Sequence, residues 1–120
     1  MRDLPLRGDA LLAAVSESMV ALHERYHHRK PVTVKTHLMG DELLTCVMHG
    51  VYTEVEKTMI ETQGQTIVHE TRRVFLSAMQ HRLINEVESL SGRRVTDLIT
   101  SNHVGPDLEI KLFMLAPAAT

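Results

Sequence analysis

Residues 32–48 read VTVKTHLMGDELLTCVM, and their pattern is the strongest indication of the fold class in the sequence. In its first half apolar and polar residues alternate, so that Val32, Val34 and Leu38 share one side of an extended chain, as in a strand with one buried face. Gly40-Asp41 is a turn signal, and an apolar run follows it. The stretch therefore predicts a β-hairpin whose second strand is apolar on both faces.

A second hairpin is predicted over residues 95–115, because its last eight residues alternate between aliphatic side chains and others. Apolar residues at helical spacing predict helices over about 9–28 and about 66–90, and a short helix that begins at the capping box Thr53-x-x-Glu56 lies between them. The predicted order is α-β-β-α-α-β-β. It indicates an α+β protein with a four-stranded antiparallel sheet covered by helices.

The two halves of the chain suggest an internal αββ repeat. Pro31-Val32-Thr33 has a counterpart in Arg94-Val95-Thr96, and Gly40 has one in Gly105. A duplication explains this similarity, and so does the general likeness of any two helix–hairpin units. If the repeat is real, we expect a pseudo-twofold axis to relate the halves.

Length and composition favour one small domain over residues 1–120, with a lead-in at 1–8 and a tail at 116–120. The chain has two Tyr, two Phe and no Trp, so the predicted core is aliphatic. A net charge of -2 argues against nucleic-acid binding, which needs a basic face. One cysteine and the lack of a signal-peptide pattern or of roughly 20 consecutive apolar residues predict a cytoplasmic protein without a membrane span.

The sharpest local motif is His23-Glu24-x-x-His27 on the first predicted helix. Two histidines four residues apart share a helix face, as a zinc site requires, and Glu24 is placed as a general base. The motif lies one turn before Pro31, and the sequence suggests no third ligand. A weak metal site at His23 and His27 is one interpretation and a zinc metallopeptidase another. We predict no catalytic residue and no cofactor.

Basic pairs mark three places in the chain. Arg29-Lys30, next to Pro31, and Arg93-Arg94 each precede a predicted strand, and Arg72-Arg73 lies on the long helix. All are candidates for binding a ligand or partner. They also suit helix ends, where basic charge compensates the helix dipole. One of Arg72 and Arg73 is expected to lie near the apolar stripe and to pair with Glu56 or Glu70.

Taken in order, these motifs resemble the MpsC-like family of small bacterial domains of unknown function, over residues 15–117. The stretch Gly50-Val51-Tyr52-Thr53 followed by Glu56-Lys57 is similar to the family's G-x-L-T-x-x-E-K, and Gly92-Arg93-Arg94-Val95 is similar to its G-R-K-V. Further matches are the following: Val20-Ala21-Leu22-His23, Tyr26, Pro31, Val34-Lys35, 41–47, Arg72 or Arg73, Phe75, Asp107 and 108–115. This chain departs from the family at His28-Arg29-Lys30-Pro31, where the family tends to read Gly-x-Gly-Pro.

The resemblance implies a non-catalytic accessory or regulatory protein. The family takes its name from a Na⁺-translocating, membrane-potential-generating system, so this chain would serve a membrane cation-transport subunit from the cytoplasm. A small-ligand or metal-binding module is the alternative. We also expect a homodimer, because the strand from residue 43 is apolar on both faces. The predicted interface is the long helix. Ile67, Val74 and Ala78 are expected to widen the buried stripe of this helix.

Overall fold

The computed structural model describes residues 4–118, so the outer ends of the predicted lead-in and tail, 1–3 and 119–120, lie outside the described residues. Three helices and four strands follow one another in the predicted order: α1 (Gly8–His27), β1 (Thr33–Met39), β2 (Leu43–His49), α2 (Glu54–Glu61), α3 (Gln65–Ser91), β3 (Val95–His103) and β4 (Leu108–Leu115). The strands form one sheet in the order β1-β2-β4-β3, and every neighbouring pair is antiparallel. The predicted α+β class and four-stranded antiparallel sheet are confirmed.

Helices α1 and α3 cover one face of this sheet, and the core lies between them and the strands. The core is aliphatic, as predicted. Its fully buried members include Val15 and Met19 on α1, Leu44 and Cys46 on β2, and Val87 on α3. Burial also raises the pKa of the Cys46 thiol, as suits a small core residue.

The predicted widening of the stripe on α3 is wrong. Ile67 and Val74 are 59% and 53% exposed, and Ala78 is exposed as well. The helix presents to the sheet only the narrower stripe that contains Val68, Leu76, Leu83, Val87 and Leu90. Most of the circumference of α3 is exposed to solvent, because the sheet and α1 contact only one side of the helix.

Strand β4 turns its charged side chains toward the helices, whereas a half-buried strand usually turns them toward solvent. Glu109 and Lys111, each 3% exposed, point into the helix-covered side together with Phe113 and Leu115. The aliphatic residues between them point to the uncovered side and are only partly buried: Leu108, Ile110, Leu112 and Met114. The covered side of the sheet therefore contains two charges, and the uncovered side is apolar.

The sheet order has the symmetry that an αββ repeat predicts. Strands β2 and β4 are the central pair, and Cys46 lies directly opposite Lys111. The counterparts Gly40 and Gly105 are separated by the same number of residues as Cys46 and Lys111. This strand order is the one expected if a pseudo-twofold axis perpendicular to the sheet related β1-β2 to β3-β4.

The helices that precede the two hairpins end in the same way. Both α1 and α3 are followed by a residue in the left-handed conformation, His28 with φ 56° and Gly92 with φ 66°. The amide N–H groups of these residues donate to the carbonyl oxygens of Glu24 and Glu88. Glycine adopts this conformation without a steric penalty, whereas His28 pays one at the position where the family tends to have glycine.

Replacing His28 by glycine is therefore expected to stabilise the protein. His28→Gly should raise the free energy of unfolding by about 0.5–1 kcal/mol, because relief of the left-handed strain exceeds the extra entropy of an unfolded glycine. Urea unfolding measures the change. Arg25→Gly, inside the last turn of α1, is the matched control and should lower stability by about 1 kcal/mol. Equal destabilisation by both variants would contradict the prediction.

Candidate functional site

The centre of the candidate site is Arg72, a residue of α3 that is only 1% exposed. Its guanidinium group makes a bidentate ion pair with Glu56, in which Nε and Nη2 each donate to one carboxylate oxygen at 2.7 Å. Nη2 also donates to the carbonyl oxygen of Val51 at 2.6 Å. One side chain thus ties the long helix to α2 and to the loop before it.

The start of α2 positions Glu56 for this pairing. The backbone N–H of Glu56 donates to the Thr53 hydroxyl at 3.2 Å, and the Thr53 backbone N–H donates to Glu56 Oε1 at 2.9 Å. This is the capping box that the sequence predicts. Burial alone would raise the pKa of Glu56, but the hydrogen bonds from Arg72 and Thr53 lower it to about 2. Glu56 is therefore a carboxylate at neutral pH.

A second acid–base pair lies beside Arg72 on β4. Lys111 Nζ donates to Glu109 Oε1 at 2.6 Å, and Arg72 Nη1 lies 3.4 Å from Glu109 Oε2. The two side chains share a face because they are two residues apart on a strand. Burial opposes ionisation of Glu109, but the charge and hydrogen bond of Lys111 and the charge of Arg72 lower its pKa. The buried network therefore contains two cations and two carboxylates.

The histidines of the predicted metal motif border this network. His23 is buried, and its ring accepts a hydrogen bond from Arg72 Nη1 at Nε2 (3.1 Å) and donates one from Nδ1 to the carbonyl oxygen of Arg29 (2.7 Å). Both ring nitrogens are thus engaged. Burial, partly offset by the hydrogen bond to Arg29, lowers the pKa of His23. A metal ion bound here would have to displace one of these two partners.

His27 lies one helical turn further, and its ring is 4.6 Å from that of His23 and 4.8 Å from that of Phe75. Burial, together with the nearby charge of Arg72, lowers the pKa of His27 to about 4. Among residues 4–118, no three His, Cys, Asp or Glu side chains are grouped so that they could hold a metal ion. Glu24, the proposed general base, is exposed.

A small cavity separates α1 from α3 above the Glu109–Lys111 pair. Its volume is about 20 Å³, and its lining combines apolar side chains with four polar ones, His23, His27, Glu109 and Lys111. A cavity needs about 10–15 Å³ and several polar partners to hold one water molecule. The space therefore suits a single water that contacts the charged pair, and it is too small for an organic ligand.

Tyr52 closes the network on the side of β3. Its ring centroid lies 5.2 Å from the Arg72 guanidinium carbon, and its hydroxyl donates to Asn102 Oδ1 at 3.0 Å. Burial raises the pKa of Tyr52 to about 12, so the phenol stays neutral. The carboxylate of Asp107 accepts from the backbone N–H of Val51 at 2.8 Å and thereby holds this loop against the β3–β4 turn.

The predicted basic corners lie elsewhere and serve the strands. Nε of Arg29 donates to the carbonyl oxygen of Gly50, just after β2, and Nε of Arg93 donates to that of Ala116, just after β4. Because β2 and β4 are antiparallel, these ends lie at opposite ends of the sheet, so the structure does not bring the two pairs together. The partners in sequence, Lys30 and Arg94, are exposed, and Pro31 is partly buried.

Arg73, the neighbour of Arg72, is exposed and pairs with Glu70 one helical turn earlier. The expectation that one arginine of the pair lies near the apolar stripe and binds Glu56 is therefore confirmed for Arg72. Glu109, Lys111, Tyr52 and Asn102 complete the network, and no sequence pattern assigned them a role in a site. In the described part of the chain every buried side-chain nitrogen and oxygen has a hydrogen-bond partner. Chemically the network is thus a set of satisfied, mutually neutralised charges.

The lowered pKa of His27 makes stability depend on pH. The ordinary pKa of His27 is 6.5, and its pKa in the folded protein is about 4. Between these two pH values the His27 ring is protonated in the unfolded chain and neutral in the folded protein. The free energy of unfolding should therefore fall as the pH drops from 6.5 to 4, by up to about 1.4 kcal/mol per pH unit. His27→Gln should flatten this slope in urea unfolding, whereas His81→Gln, an exposed position on α3, should not. Equal slopes in the wild type and His27→Gln would contradict the prediction.

Comparison with known proteins gives one match. The model of a protein family described as "Na+-translocating membrane potential-generating system (MpsC)" matches residues 9–117, which is nearly the whole chain. The match confirms the resemblance found in the sequence. Searches of curated proteins and of solved structures found no match. Within residues 4–118, none of the helices is both long and apolar enough to cross a membrane.

Proposed function

Since the chain belongs to the MpsC family, we propose that it is a non-catalytic accessory protein of a Na⁺-translocating, membrane-potential-generating system. It acts on the cytoplasmic side by binding a membrane subunit of that system and does not turn over a substrate. The family match over residues 9–117 is the observation that carries this proposal.

The state of the buried charges supports a binding role. A catalytic acid or base has to be approachable by a substrate, and its pKa is usually tuned toward the working pH. Here Glu56 has a pKa of about 2, and Arg72 is almost fully enclosed. Both are engaged with each other and with the backbone, which suits a network that fixes the positions of α2, α3 and β4.

No observation favours the alternative functions over this one. For a zinc peptidase, His23 would have to give up a hydrogen bond to Arg72 or to Arg29. For a small-ligand module, the polar cavity between α1 and α3 has a volume of only about 20 Å³, and the larger pocket beside Arg93, of about 630 Å³, shares no residue with the buried network. Both functions remain sequence hypotheses, and the experiment below separates the first of them from the accessory role.

The proposal is tested in cells of the source organism from which the gene has been deleted. A potential-sensitive dye reports the membrane potential that develops after addition of Na⁺. We expect deletion to reduce this Na⁺-dependent signal and the wild-type gene to restore it. Glu24→Gln removes the only general base of the His-Glu-x-x-His motif and should restore the signal equally well. Arg72→Met, which is expected to unfold the protein, serves as the negative control.

A second measurement addresses binding directly. Purified chain should sediment with membrane vesicles that contain the translocating system and remain in the supernatant with vesicles from a strain that lacks it. An unchanged Na⁺-dependent potential after deletion would refute the accessory role. Restoration by the wild type but not by a folded Glu24→Gln protein would instead support catalysis.

A further inference from the structure

The face of the sheet away from the helices is unusually apolar, and we call it the open face. Of the eight outward positions on the central strands β2 and β4, six are aliphatic or Met and only Thr45 and His49 are polar: Leu43, Val47, Leu108, Ile110, Leu112 and Met114. Met39 on β1 and Ile99 on β3 extend this patch at its two sides, and each is 57% exposed. Helices α1 and α3 occupy the other face, so the patch meets solvent within the described chain.

This distribution is the reverse of what a solvated antiparallel sheet shows. Such sheets carry polar residues outward and apolar residues inward. Here Glu109 and Lys111 are buried, and their aliphatic neighbours point out. Contiguous apolar patches on soluble proteins mark contact sites. From these observations we infer that a second copy of this chain covers the open face, so that two sheets pack face to face in a twofold-symmetric dimer.

The position of the patch is what favours a second copy over another partner. It lies along the two central strands, so a twofold axis parallel to them, between the two sheets, places the patch of one copy on that of the other. The same rotation lays β1 of one copy over β3 of its partner. It also lays β2 of each copy over β4 of its partner, so that Val47 lies over Ile110 and Leu43 lies over Met114. The apolar positions of the open face thus coincide with one another in the dimer.

The area of the open face lies close to the minimum for a specific contact. Four strands spaced about 4.8 Å apart and about seven residues long project about 450 Å² per copy, so two copies bury about 900 Å² before side-chain relief is counted. Specific interfaces begin at about 1,000–1,200 Å². Packed sheets also interdigitate their side chains at a separation of about 10 Å, which adds to the contact. The estimate indicates a reversible dimer near the lower limit of size.

The test is the molar mass of the purified full chain, measured by sedimentation equilibrium over a range of concentrations. The wild type should reach twice its chain mass of 13.5 kDa. Ile110→Lys places a charge at the centre of the open face and should weaken self-association by about 100-fold, because two lysines per dimer would be buried without partners. Val74→Lys, on the exposed side of α3, is the matched control and should leave the dimer intact.

A second variant guards against misfolding of the first. Ile99→Glu changes a more exposed position of the open face and should also shift the chain to a monomer, with the circular dichroism and melting of the folded monomer retained. A wild-type chain that stays monomeric at every concentration would overturn the inference. So would a dimer that is dissociated by Val74→Lys and unaffected by the open-face variants. Neither result bears on the Na⁺-dependent potential, so the accessory role stands or falls separately.

Discussion

Replacing Arg72 by methionine should cost about 3–5 kcal/mol of unfolding free energy, enough to unfold most of a marginally stable small domain. The loss exceeds that of an ordinary surface arginine because four acceptors depend on this one guanidinium. They are the carboxylates of Glu56 and Glu109, the Val51 carbonyl oxygen and Nε2 of His23. In the variant the Val51 carbonyl oxygen and His23 Nε2 lose this donor, and each unsatisfied group adds its own desolvation penalty. The two carboxylates lose their charged partner Arg72 and keep only the hydrogen bonds from Thr53 and Lys111.

Urea unfolding of three further proteins separates this cause from others. Arg73→Met removes the neighbouring arginine, whose pair with Glu70 is exposed, and should change stability by less than about 0.5 kcal/mol. Arg72→Lys retains the charge but not the bidentate geometry and should lie between the wild type and Arg72→Met. Adding Glu56→Gln to Arg72→Met should recover part of the loss, since glutamine keeps the capping box and removes the orphaned charge. A loss below about 1 kcal/mol for Arg72→Met would show that the network does not stabilise the fold.

The architecture of the protein follows from local patterns in the sequence. Alternation in the first hairpin correctly places Val34 and Leu38 toward the core, and the capping box correctly marks the start of α2. The same alternation is wrong for Val32, which precedes β1 and is 70% exposed. Similarly, helical periodicity predicts that one of Arg72 and Arg73 lies near the buried stripe, and the structure shows that it is Arg72. These features are predictable because each depends on residues within one or two turns of helix or one strand. The order of helices and hairpins then limits the sheet to few topologies.

The facing of β4 is not predictable in this way. Alternation reports that two faces differ, but it does not tell which face is covered. One set of positions contains Leu108, Ile110 and Leu112, and the other ends in Phe113 and Leu115, so both can join a core. The choice depends on Arg72, which is distant in sequence and neutralises Glu109 only after the helix has packed. A glutamate followed two residues later by a lysine is the sequence signal that could have suggested this facing of β4.

The histidine motif likewise depends on contacts that are distant in sequence. The spacing of His23 and His27 suits a metal site, yet His23 binds Arg72 and the Arg29 carbonyl oxygen. Spacing on one helix cannot reveal that an arginine from another helix occupies the ligand position. The contacts of the basic pairs are also formed only in the folded protein, because Arg29 and Arg93 donate to carbonyl oxygens just after strands β2 and β4.

Replacing Lys111 by methionine should also be strongly destabilising, by about 3 kcal/mol at neutral pH, because it leaves the Glu109 carboxylate in the core with only the longer contact to Arg72. Lys35→Met is the matched control on the outward, exposed side of β1 and should have little effect. The double variant Lys111→Met with Glu109→Leu should be more stable than Lys111→Met alone. Apolar side chains of similar volume remove the buried charge together with its partner.

The pH dependence of the Lys111→Met variant provides a stricter test than its stability at one pH. In the wild type Lys111 lowers the pKa of Glu109, so that carboxylate contributes stability above its ordinary pKa of 4.5 and loses it in acid. Without Lys111 the effect of burial dominates and the pKa of Glu109 rises, so the folded variant takes up a proton at a higher pH. The stability difference between wild type and variant should therefore shrink as the pH falls from 7 toward 5. A difference that stays constant over this range would mean that Lys111 stabilises by packing its aliphatic stem and not by neutralising Glu109.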